Sequence, residues 1–277
     1  MIICNSDLLK AHTSEWRIHL LAAREIILAE ANRSSPHHPL FRVEEFLLQE
    51  FYSTSVWTHL TTFSQVDEIL IDPPTSSEDA ILADFVRIIH SVTQLERLKT
   101  RSRASNQAPP TAFQVQTIYA QIESAKSHCL HVNQTIRFWS DLERRDFELV
   151  VSMYYYATLI YSTQALSELS TAETAKKEAC SHILNHLKLL SETRNGLRFT
   201  QDLVWPLFIA GTELRGDRAG QKIIENGFKT VIHTSRALDR SRVLLFLQSW
   251  WNVAGDEFVS WVDFARAQPA ECNFLIV

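Results

Sequence analysis

Two histidines and a glutamate recur at four-residue intervals in a segment with a helical pattern. Glu178, His182 and His186 therefore fall on one face of the predicted helix. Imidazoles four residues apart on a helix can ligate a metal ion together. The third side chain in line lies two turns away from the first, so the pattern is more typical of a polar outer helix face. We predict no metal site here.

Two further clusters of imidazoles and carboxylates have ordinary structural explanations. His128 and His131 follow Glu123 on another predicted helix and are interpreted in the same way. The segment Asp141-Leu-Glu-Arg-Arg-Asp146 is superficially similar to the aspartate clusters that hold magnesium and diphosphate in helical terpene cyclases. Acidic residues are also favoured in the first turn of a helix. The two arginines of the segment would compete with a metal ion for the carboxylates. The segment therefore indicates a helix start, not a metal centre.

No catalytic motif stands out. The sequence contains no Gly-x-Ser-x-Gly, no Walker loop and no Gly-x-Gly-x-x-Gly. Serine, histidine and aspartate occur without a spacing that selects a triad. The sequence thus assigns no catalytic residue and no cofactor, and it favours a non-enzyme while leaving catalysis open.

The charge balance argues against a nucleic-acid-binding surface. The formal net charge is -5, whereas a phosphate-binding face needs an excess of lysine and arginine. Basic residues cluster only at Arg97, Lys99, Arg101 and Arg103. We interpret this run as a solvated surface loop.

The number and spacing of the cysteines limit which metal sites and disulfides the chain can form. Cys4, Cys129, Cys180 and Cys272 are scattered and form no Cys-x-x-Cys pair, which excludes a zinc ribbon or a binuclear zinc cluster within this sequence. A disulfide framework is not expected in a chain of this length. No uncharged run reaches the roughly 18 residues of a membrane span, and no signal peptide is apparent. We expect no membrane contact and no secretion.

The apolar periodicity predicts an all-α fold in a single domain over residues 1–277. Only 6 glycines and 8 prolines occur, too few for a turn-rich β-sandwich. Capping patterns begin at Thr111 and Ser140, and the segment that follows Ser140 is apolar nearly all round, as a central buried helix would be. A polar loop near 101–110 is expected to be mobile. About ten helices are predicted. The segments with a helical pattern lie roughly at 7–31, 42–52, 56–63, 78–99, 111–137, 140–169, 170–191, 206–214, 218–228, 237–252 and 257–267, of which 56–63 is a short segment with a weaker pattern.

One apolar segment near the end of the chain organises the predicted packing. We expect Trp205 to be a buried anchor and Pro206 to occupy the first position of a short core helix. Gly211 would allow close approach of a neighbouring helix, and Gly216 would end the segment.

Aromatic residues are concentrated in the last quarter of the chain. Most of them must be core, but helical domains with such lining can leave a pocket between helices. The predicted pocket lining is Trp205, Phe208, Trp250, Trp251 and Trp261, together with Tyr155 from the central helix.

The apolar segment around Trp205 carries a family resemblance. Trp205-Pro-Leu-Phe-Ile-Ala-Gly-Thr-Glu, Arg218 at a helix start, and residues 244–251 and 256–261 resemble the C-terminal part of the fungal-specific transcription factor domain. That domain is the helical regulatory region that follows the binuclear zinc cluster in many fungal regulators. The segment Glu15-Trp-Arg-Ile-His-Leu-Leu-Ala-Ala-Arg24 resembles the family's earlier Trp…His-Leu…Ala segment. Helix order and loop positions agree, so the resemblance covers most of the chain.

The resemblance implies a nuclear effector domain that senses a small apolar metabolite or contacts other transcription regulators. Family members usually carry six closely spaced cysteines and a basic linker, and this sequence contains neither. We therefore expect no direct nucleic-acid contact of the family's kind, whether the sequence is a piece of a longer regulator or a scaffold put to new use. The alternative is a helical enzyme of fungal secondary metabolism, a cyclase or isomerase that uses the inter-helical cavity.

Overall fold

The computed structural model describes residues 16–33, 42–61, 81–105, 111–136, 138, 140–166, 172–193, 196–235, 238–254, 258, 260–268, 274 and 276. All regular structure in these ranges is helical, which confirms the all-α prediction. No helix in the described ranges has both the length and the apolar character needed to cross a membrane. The helices are α1 (Trp16–Arg33), α2 (Arg42–Thr61), α3 (Ala83–Ser105), α4 (Ala112–Thr135), α5 (Asp141–Leu166), α6 (Glu173–Ser191), a 3-10 helix (Gly196–Leu203), α7 (Val204–Thr212), α8 (Arg218–Ser235), α9 (Leu238–Trp251) and α10 (Trp261–Ala267).

Helix α5 is the centre of the fold. The Ser140 hydroxyl caps its first turn by accepting the Glu143 amide at 3.1 Å. Along its length α5 packs against α3, α4, α6, α7 and the 3-10 helix. Apolar side chains such as Val150, Met153 and Ile160 are fully buried. The predicted central apolar helix is therefore confirmed, because a helix that is apolar all round must be covered on every side.

Helix α2 is longer than the sequence predicted. It continues to Thr61, so the predicted end near 52 and the separate short helix are wrong. Two hydroxyl side chains between the predicted helices bond back to the backbone of α2. Thr54 Oγ1 donates to Glu50 O at 2.8 Å and Ser55 Oγ to Phe51 O at 2.7 Å. Such back-bonding lets these residues remain inside a helix.

The basic run lies on a helix, and part of it has a structural role. Helix α3 continues to Ser105, so the predicted loop does not include 101–105, while 106–110 fall outside the described residues. Arg97 is buried and donates to the backbone oxygen of His59. Lys99 Nζ donates to Leu166 O at 3.1 Å and Ala165 O at 3.4 Å. The last carbonyls of α5 attract this ammonium, so the interpretation as a solvated loop is wrong for Arg97 and Lys99.

Helix α7 confirms most of the expectations for the segment around Trp205. The Trp205 side chain is 1% exposed. Pro206 is the third residue of α7 and not the first, but an amide is not needed there because the first four helical amides have no intrahelical acceptor. A Cβ added at Gly211 would lie 2.7 Å from Leu247 Cδ1, and Gly216 has a φ of 84°. Gly211 therefore allows the close helix contact that was predicted, and Gly216 adopts the positive φ that suits a glycine between two helices.

The two described cysteines are structural. Cys129 and Cys180 are free and buried. Burial raises the pKa of each thiol to about 12, so both remain protonated and unreactive at neutral pH. Cys4 and Cys272 lie outside the described residues.

Candidate functional site

Three of the six aromatic residues predicted to line a pocket fill the core. Trp205 contacts Tyr161 edge-on with a centroid distance of 5.4 Å. Phe208 meets Trp261 in the same manner at 5.0 Å. All three predicted residues, Trp205, Phe208 and Trp261, are almost fully buried. Their packing resembles an ordinary aromatic core.

The tandem tryptophans at the end of α9 bind the end of α7. Trp250 Nε1 donates to Thr212 O at 2.9 Å and Trp251 Nε1 to Gly211 O at 2.8 Å. Carbonyls in the last turn of a helix lack intrahelical donors. The two indoles therefore act as side-chain caps that join α9 to α7.

Tyr155 lies apart from the other five. It sits on the side of α5 that faces α4, where its hydroxyl donates to the Glu123 carboxylate and Lys126 Nζ lies 4.1 Å from the ring centroid. Neither of the two cavities described below is lined by any of the six predicted residues. Their role in ligand binding stays a prediction.

The histidine pair on α6 stacks on an aromatic ring. His182 is parallel to Tyr156 at a centroid distance of 4.5 Å, and His186 lies 6.0 Å from the same ring. Burial, then the neighbouring His182 and Lys126, lower the pKa of His186. Glu178 is exposed. Within the described part of the chain, no three histidine, cysteine or carboxylate side chains are grouped to hold a metal ion.

The other polar clusters from the sequence are held by structural contacts. His128 Nδ1 lies 2.7 Å from Asp84 Oδ2. The Glu143 carboxylate accepts from Arg198 at 2.7 Å. Asp146 Oδ2 accepts from the hydroxyl of Thr193 at 3.0 Å. These contacts join α3 to α4, and α5 to the 3-10 helix and to the turn that follows α6.

The first cavity is a cleft of about 630 Å³ between α6, the 3-10 helix and α8, called here the α6–α8 cleft. Its volume is in the range of small-molecule sites, about 300–1,000 Å³. The apolar lining consists of Leu184, Leu187, Leu190, Leu203, Ile223 and Gly227. The polar lining consists of Asn185, Lys188, Ser191, Glu192, Thr193, Thr200, Asn226 and Thr230. The leucine and isoleucine side chains of this lining offer apolar contact surface to a molecule that is mostly hydrocarbon.

The second cavity, of about 500 Å³, lies between α2, the start of α3, α5, the 3-10 helix and α9, and is called here the Asp202 cavity. Its aromatic walls are Trp57, Phe147, Tyr154 and Phe199, and its other apolar lining residues are Ile81, Leu82, Ala83, Val86, Val204 and Ile276. Its polar lining is Gln49, Glu50, Ser53, Thr54, Gln201, Asp202 and Arg240. Three of these lining residues, Glu50, Asp202 and Arg240, are ionisable.

Burial perturbs the ionisable groups of the Asp202 cavity. It raises the pKa of Asp202 to about 6, although the Arg240 charge and a backbone hydrogen bond act in the opposite direction. Burial also raises the pKa of Glu50 and lifts that of Tyr154 well above its ordinary value. Shifted carboxyl groups that face a cavity mark a candidate functional site.

An amide group in the same cavity lacks part of its hydrogen bonding. Gln49 is 4% exposed, and its Nε2 donates to Ser53 Oγ at 3.3 Å. Its Oε1 is buried and has no hydrogen-bond partner among the described residues. Buried polar atoms are seldom left without a partner, so each such atom needs an explanation.

The sequence reasoning missed the polar groups of the Asp202 cavity. One signal was available: Arg240, Val243, Leu244 and Leu247 recur at i, i+3, i+4 and i+7, which places a cation on the buried face of α9. A charged residue in an apolar stripe indicates a buried partner or a site. Asp202 and Gln49 gave no such signal, because each joins the cavity from a separate element.

Comparison with known families identifies a match to nearly the whole chain. A family model described as the fungal specific transcription factor domain matches residues 1–273 of the 277 in the sequence. No curated protein and no solved structure gives a significant match. The match confirms the resemblance drawn from the segment around Trp205.

Proposed function

Because the chain belongs to the fungal-specific transcription factor domain family, we propose that it is a regulatory domain controlled by a small apolar metabolite. Its place of action is the nucleus, and its partners are other transcription regulators. The domain itself makes no nucleic-acid contact. Membership of the family supports the regulatory role, and the metabolite is argued from the cavities.

The α6–α8 cleft is the observation that carries the proposal. Leucine and isoleucine side chains from three separate elements line it. Ile223 is 40% exposed on α8, so the cleft presents apolar area to solvent that an occupant would cover. Burial of such area contributes about 25 cal/mol per Å² to binding before the entropic costs of association.

A ligand in this cleft would act on the core. A Cβ added at Gly227 would lie 3.1 Å from both Leu187 Cδ2 and Leu207 Cδ2, so α6, α7 and α8 meet at this glycine. Leu187 lines the cleft and Leu207 belongs to α7. An occupant that displaces Leu187 would therefore change the packing of α7. Ligand binding could in this way shift the conformation of the domain.

Farnesol, an apolar isoprenoid alcohol, is a suitable probe. We expect it to raise Tm, because a ligand that binds only the folded state stabilises by about 2.7 kcal/mol at a hundred times its Kd. Asn226→Trp would fill the cleft from its rim and abolish the shift. Lys229→Trp places the same side chain on α8 outside the cleft and should leave the shift intact. Equal shifts in both variants would locate the binding elsewhere.

The regulatory role is tested separately. The chain fused to an unrelated DNA-binding domain should change transcription of a reporter in fungal nuclei, and Asn226→Trp should remove any response to farnesol. A fusion that leaves the reporter at the level of the DNA-binding domain alone would contradict the regulatory role, whatever the binding result.

A second candidate function is an enzyme that cyclises or isomerises a small molecule. The Asp202 cavity is the feature that favours it, because two carboxyl groups with raised pKa face an aromatic-walled space. Loss of a substrate from a fungal metabolite mixture in the presence of the protein, but not of Asp202→Asn, would support this candidate.

A further inference from the structure

Two buried imidazoles lie where α2 packs against α3, away from both cavities. His59 is 4% exposed and His90 is 8% exposed. Their ring centroids are 5.8 Å apart, and the two planes are inclined by 73°. Neither residue lines the α6–α8 cleft or the Asp202 cavity. An inference about this pair, called here the His59–His90 contact, is therefore independent of the metabolite proposed above, and either can fail alone.

Most ring nitrogens of the His59–His90 contact lack a hydrogen-bond partner. Tyr52 Oη lies 2.9 Å from His90 Nδ1. His90 Nε2 and both ring nitrogens of His59 are buried without a partner among the described residues. A neutral imidazole carries one N–H and an imidazolium carries two. Protonation would therefore add a charged donor where the described residues offer no acceptor, and a buried charge of this kind is costly.

The charged groups of α3 that act on the two rings are positive. The Arg97 guanidinium donates to the backbone oxygen of His59, and its charge acts on both imidazoles. The charge of Arg101 also acts on His59. The neighbouring His90 would repel a proton on His59 in the same way. A proton on either ring is therefore opposed by cations as well as by burial.

The titratable groups that approach from the surrounding elements stay neutral or are paired. Burial raises the pKa of Tyr52 on α2 to about 12. It also raises the pKa of Tyr161 on α5, whose hydroxyl lies 2.8 Å from Thr93 Oγ1. The Glu96 carboxylate of α3 binds Arg266 of α10 at 2.7 Å. Among the described residues, no carboxylate acts on the pKa of either imidazole.

Burial and the neighbouring cations keep both imidazoles neutral while the contact is closed. Together they lower the pKa of His59 to about 3, and burial and Arg97 lower the pKa of His90. A ring exposed to water has an ordinary pKa of about 6.5. Below that pH an opened contact binds protons that the closed contact excludes, so the contact weakens as the pH falls from about 6.5 toward 3. For one ring that stays neutral when closed, the opening constant rises about tenfold between pH 7.5 and pH 5.5.

The His59–His90 contact helps to hold α2 in place. Of the other described helices, α3 is the main neighbour of α2. Thr61, the last residue of α2, donates from Oγ1 to Phe274 O at 2.9 Å. The Phe274 ring packs against Phe208 and Phe246, with centroid distances of 5.9 and 5.3 Å. Movement of α2 away from α3 would therefore also act on the chain at Phe274.

We propose that the His59–His90 contact is an acid-sensitive element of the fold, in which proton uptake by the two imidazoles detaches the end of α2 from α3 and releases the chain at Phe274. The domain is closed at neutral pH and opens at this contact first as the pH falls. Asp202 acts in the opposite direction, because a carboxyl group whose pKa is raised on folding stabilises the folded state at low pH. The sign of the pH dependence therefore distinguishes the two sites.

Hydrogen exchange of the full chain, measured by mass spectrometry at pH 7.5, 6.5 and 5.5, tests the proposal. After correction for the pH dependence of the intrinsic exchange rate, we expect the opening constant of peptides from the second half of α2 to rise about tenfold or more by pH 5.5. Peptides from α6 should keep their protection. Unchanged protection of α2 across this range would overturn the proposal. An equal loss of protection in α2 and α6 would also overturn it, because the whole domain would then unfold together.

Variants at the contact locate the effect. His59→Gln has no titratable group at this position, so its rise in α2 opening between pH 7.5 and pH 5.5 should be about tenfold smaller than that of the wild type. His131→Gln removes an exposed imidazole of α4 and should keep the wild-type response. If thermal melts show that His59→Gln is not folded, His59→Phe replaces it, because a phenyl ring has no nitrogen to protonate. A folded variant at position 59 that retains the full pH response would refute the assignment.

Discussion

The indole of Trp261 donates from Nε1 to the side-chain oxygen of Gln164 at 2.9 Å, which joins α10 to the central helix across 97 residues of sequence. The amide nitrogen of the same glutamine donates to Thr212 Oγ1 at 2.8 Å and to Glu213 Oε1 at 2.6 Å. One side chain of α5 thus connects the end of α7 and the start of α10. The connection is polar and half-buried in an otherwise apolar interface.

Replacement of Gln164 by methionine should destabilise the fold by about 1–3 kcal/mol, because the Trp261 indole and the Glu213 carboxylate each lose a partner in a half-buried position. Urea unfolding would measure the change in the free energy of unfolding. Gln121→Met on the exposed side of α4 is the matched control and should stay within about 0.5 kcal/mol of the wild type. Equal stability of the two variants would mean that water replaces the lost bonds.

Replacement of Trp205 by alanine should cost about 3–5 kcal/mol, the usual range for emptying a large buried aromatic site. The indole is packed between Trp57 and Tyr161, with centroid distances of 5.3 and 5.4 Å. Phe113→Ala, at a side chain that is 76% exposed, should change stability by less than about 0.5 kcal/mol. Calorimetric melts of both variants are the measurement, and an unchanged Tm for Trp205→Ala would show that α7 is not anchored there.

Gly211→Ala should destabilise by about 1–3 kcal/mol through overpacking, even though alanine is the better helix former. The added Cβ would meet Leu247 Cδ1 at 2.7 Å and Cδ2 at 3.1 Å. A smaller residue at 247 should relieve the contact, so Gly211→Ala combined with Leu247→Val should be more stable than the sum of the single changes predicts. Additive effects in this double-mutant cycle would show that the two side chains do not meet.

Asp202→Asn should increase stability at neutral pH by about 1–3 kcal/mol. The pKa of this carboxyl is about 6 in the folded chain, compared with an ordinary value of 3.8, so the folded state binds the proton more tightly than the unfolded state. Its contribution is then most favourable below about pH 4 and is lost as the pH rises toward 6 and above. The advantage of the asparagine variant should therefore shrink toward zero near pH 4. Urea titrations from pH 4 to pH 8 are the measurement, and a constant difference across this range would contradict the raised pKa.

The elements that could be predicted best are those with strong local signals. The Thr111 hydroxyl accepts from the backbone N–H of Gln114, and the Gln114 side-chain oxygen accepts from the backbone N–H of Thr111. The start predicted for α4 is therefore confirmed by a local contact within four consecutive residues. The end of α3 was placed too early because a basic, polar run indicates solvent when its neighbours are unknown. In the structure the ammonium of Lys99 lies beside the last carbonyls of α5, a contact that the sequence of α3 alone does not reveal.

The candidate sites could not be predicted to the same degree. Aromatic residues in the last quarter suggested a pocket, but rings such as Phe208 and Trp261 pack against each other. The two cavities occur instead where α6 meets α8 and where α2 meets the 3-10 helix. Whether neighbouring side chains fill a gap depends on the distance between helices, and periodicity along one helix carries no information about that distance.

The amino-acid sequence by itself determined the helical class, the central position of α5, the burial of Trp205 and the family, because these follow from local periodicity, capping and a contiguous motif. The tertiary structure alone decided which polar groups line the Asp202 cavity. Gln49, Asp202 and Arg240 are separated by 153 and then 38 positions in the sequence, and the environment that raises the pKa of Asp202 exists only when α2, the 3-10 helix and α9 enclose it. Desolvation is a property of the surrounding atoms in three dimensions, so a residue's type and position in the sequence do not specify it.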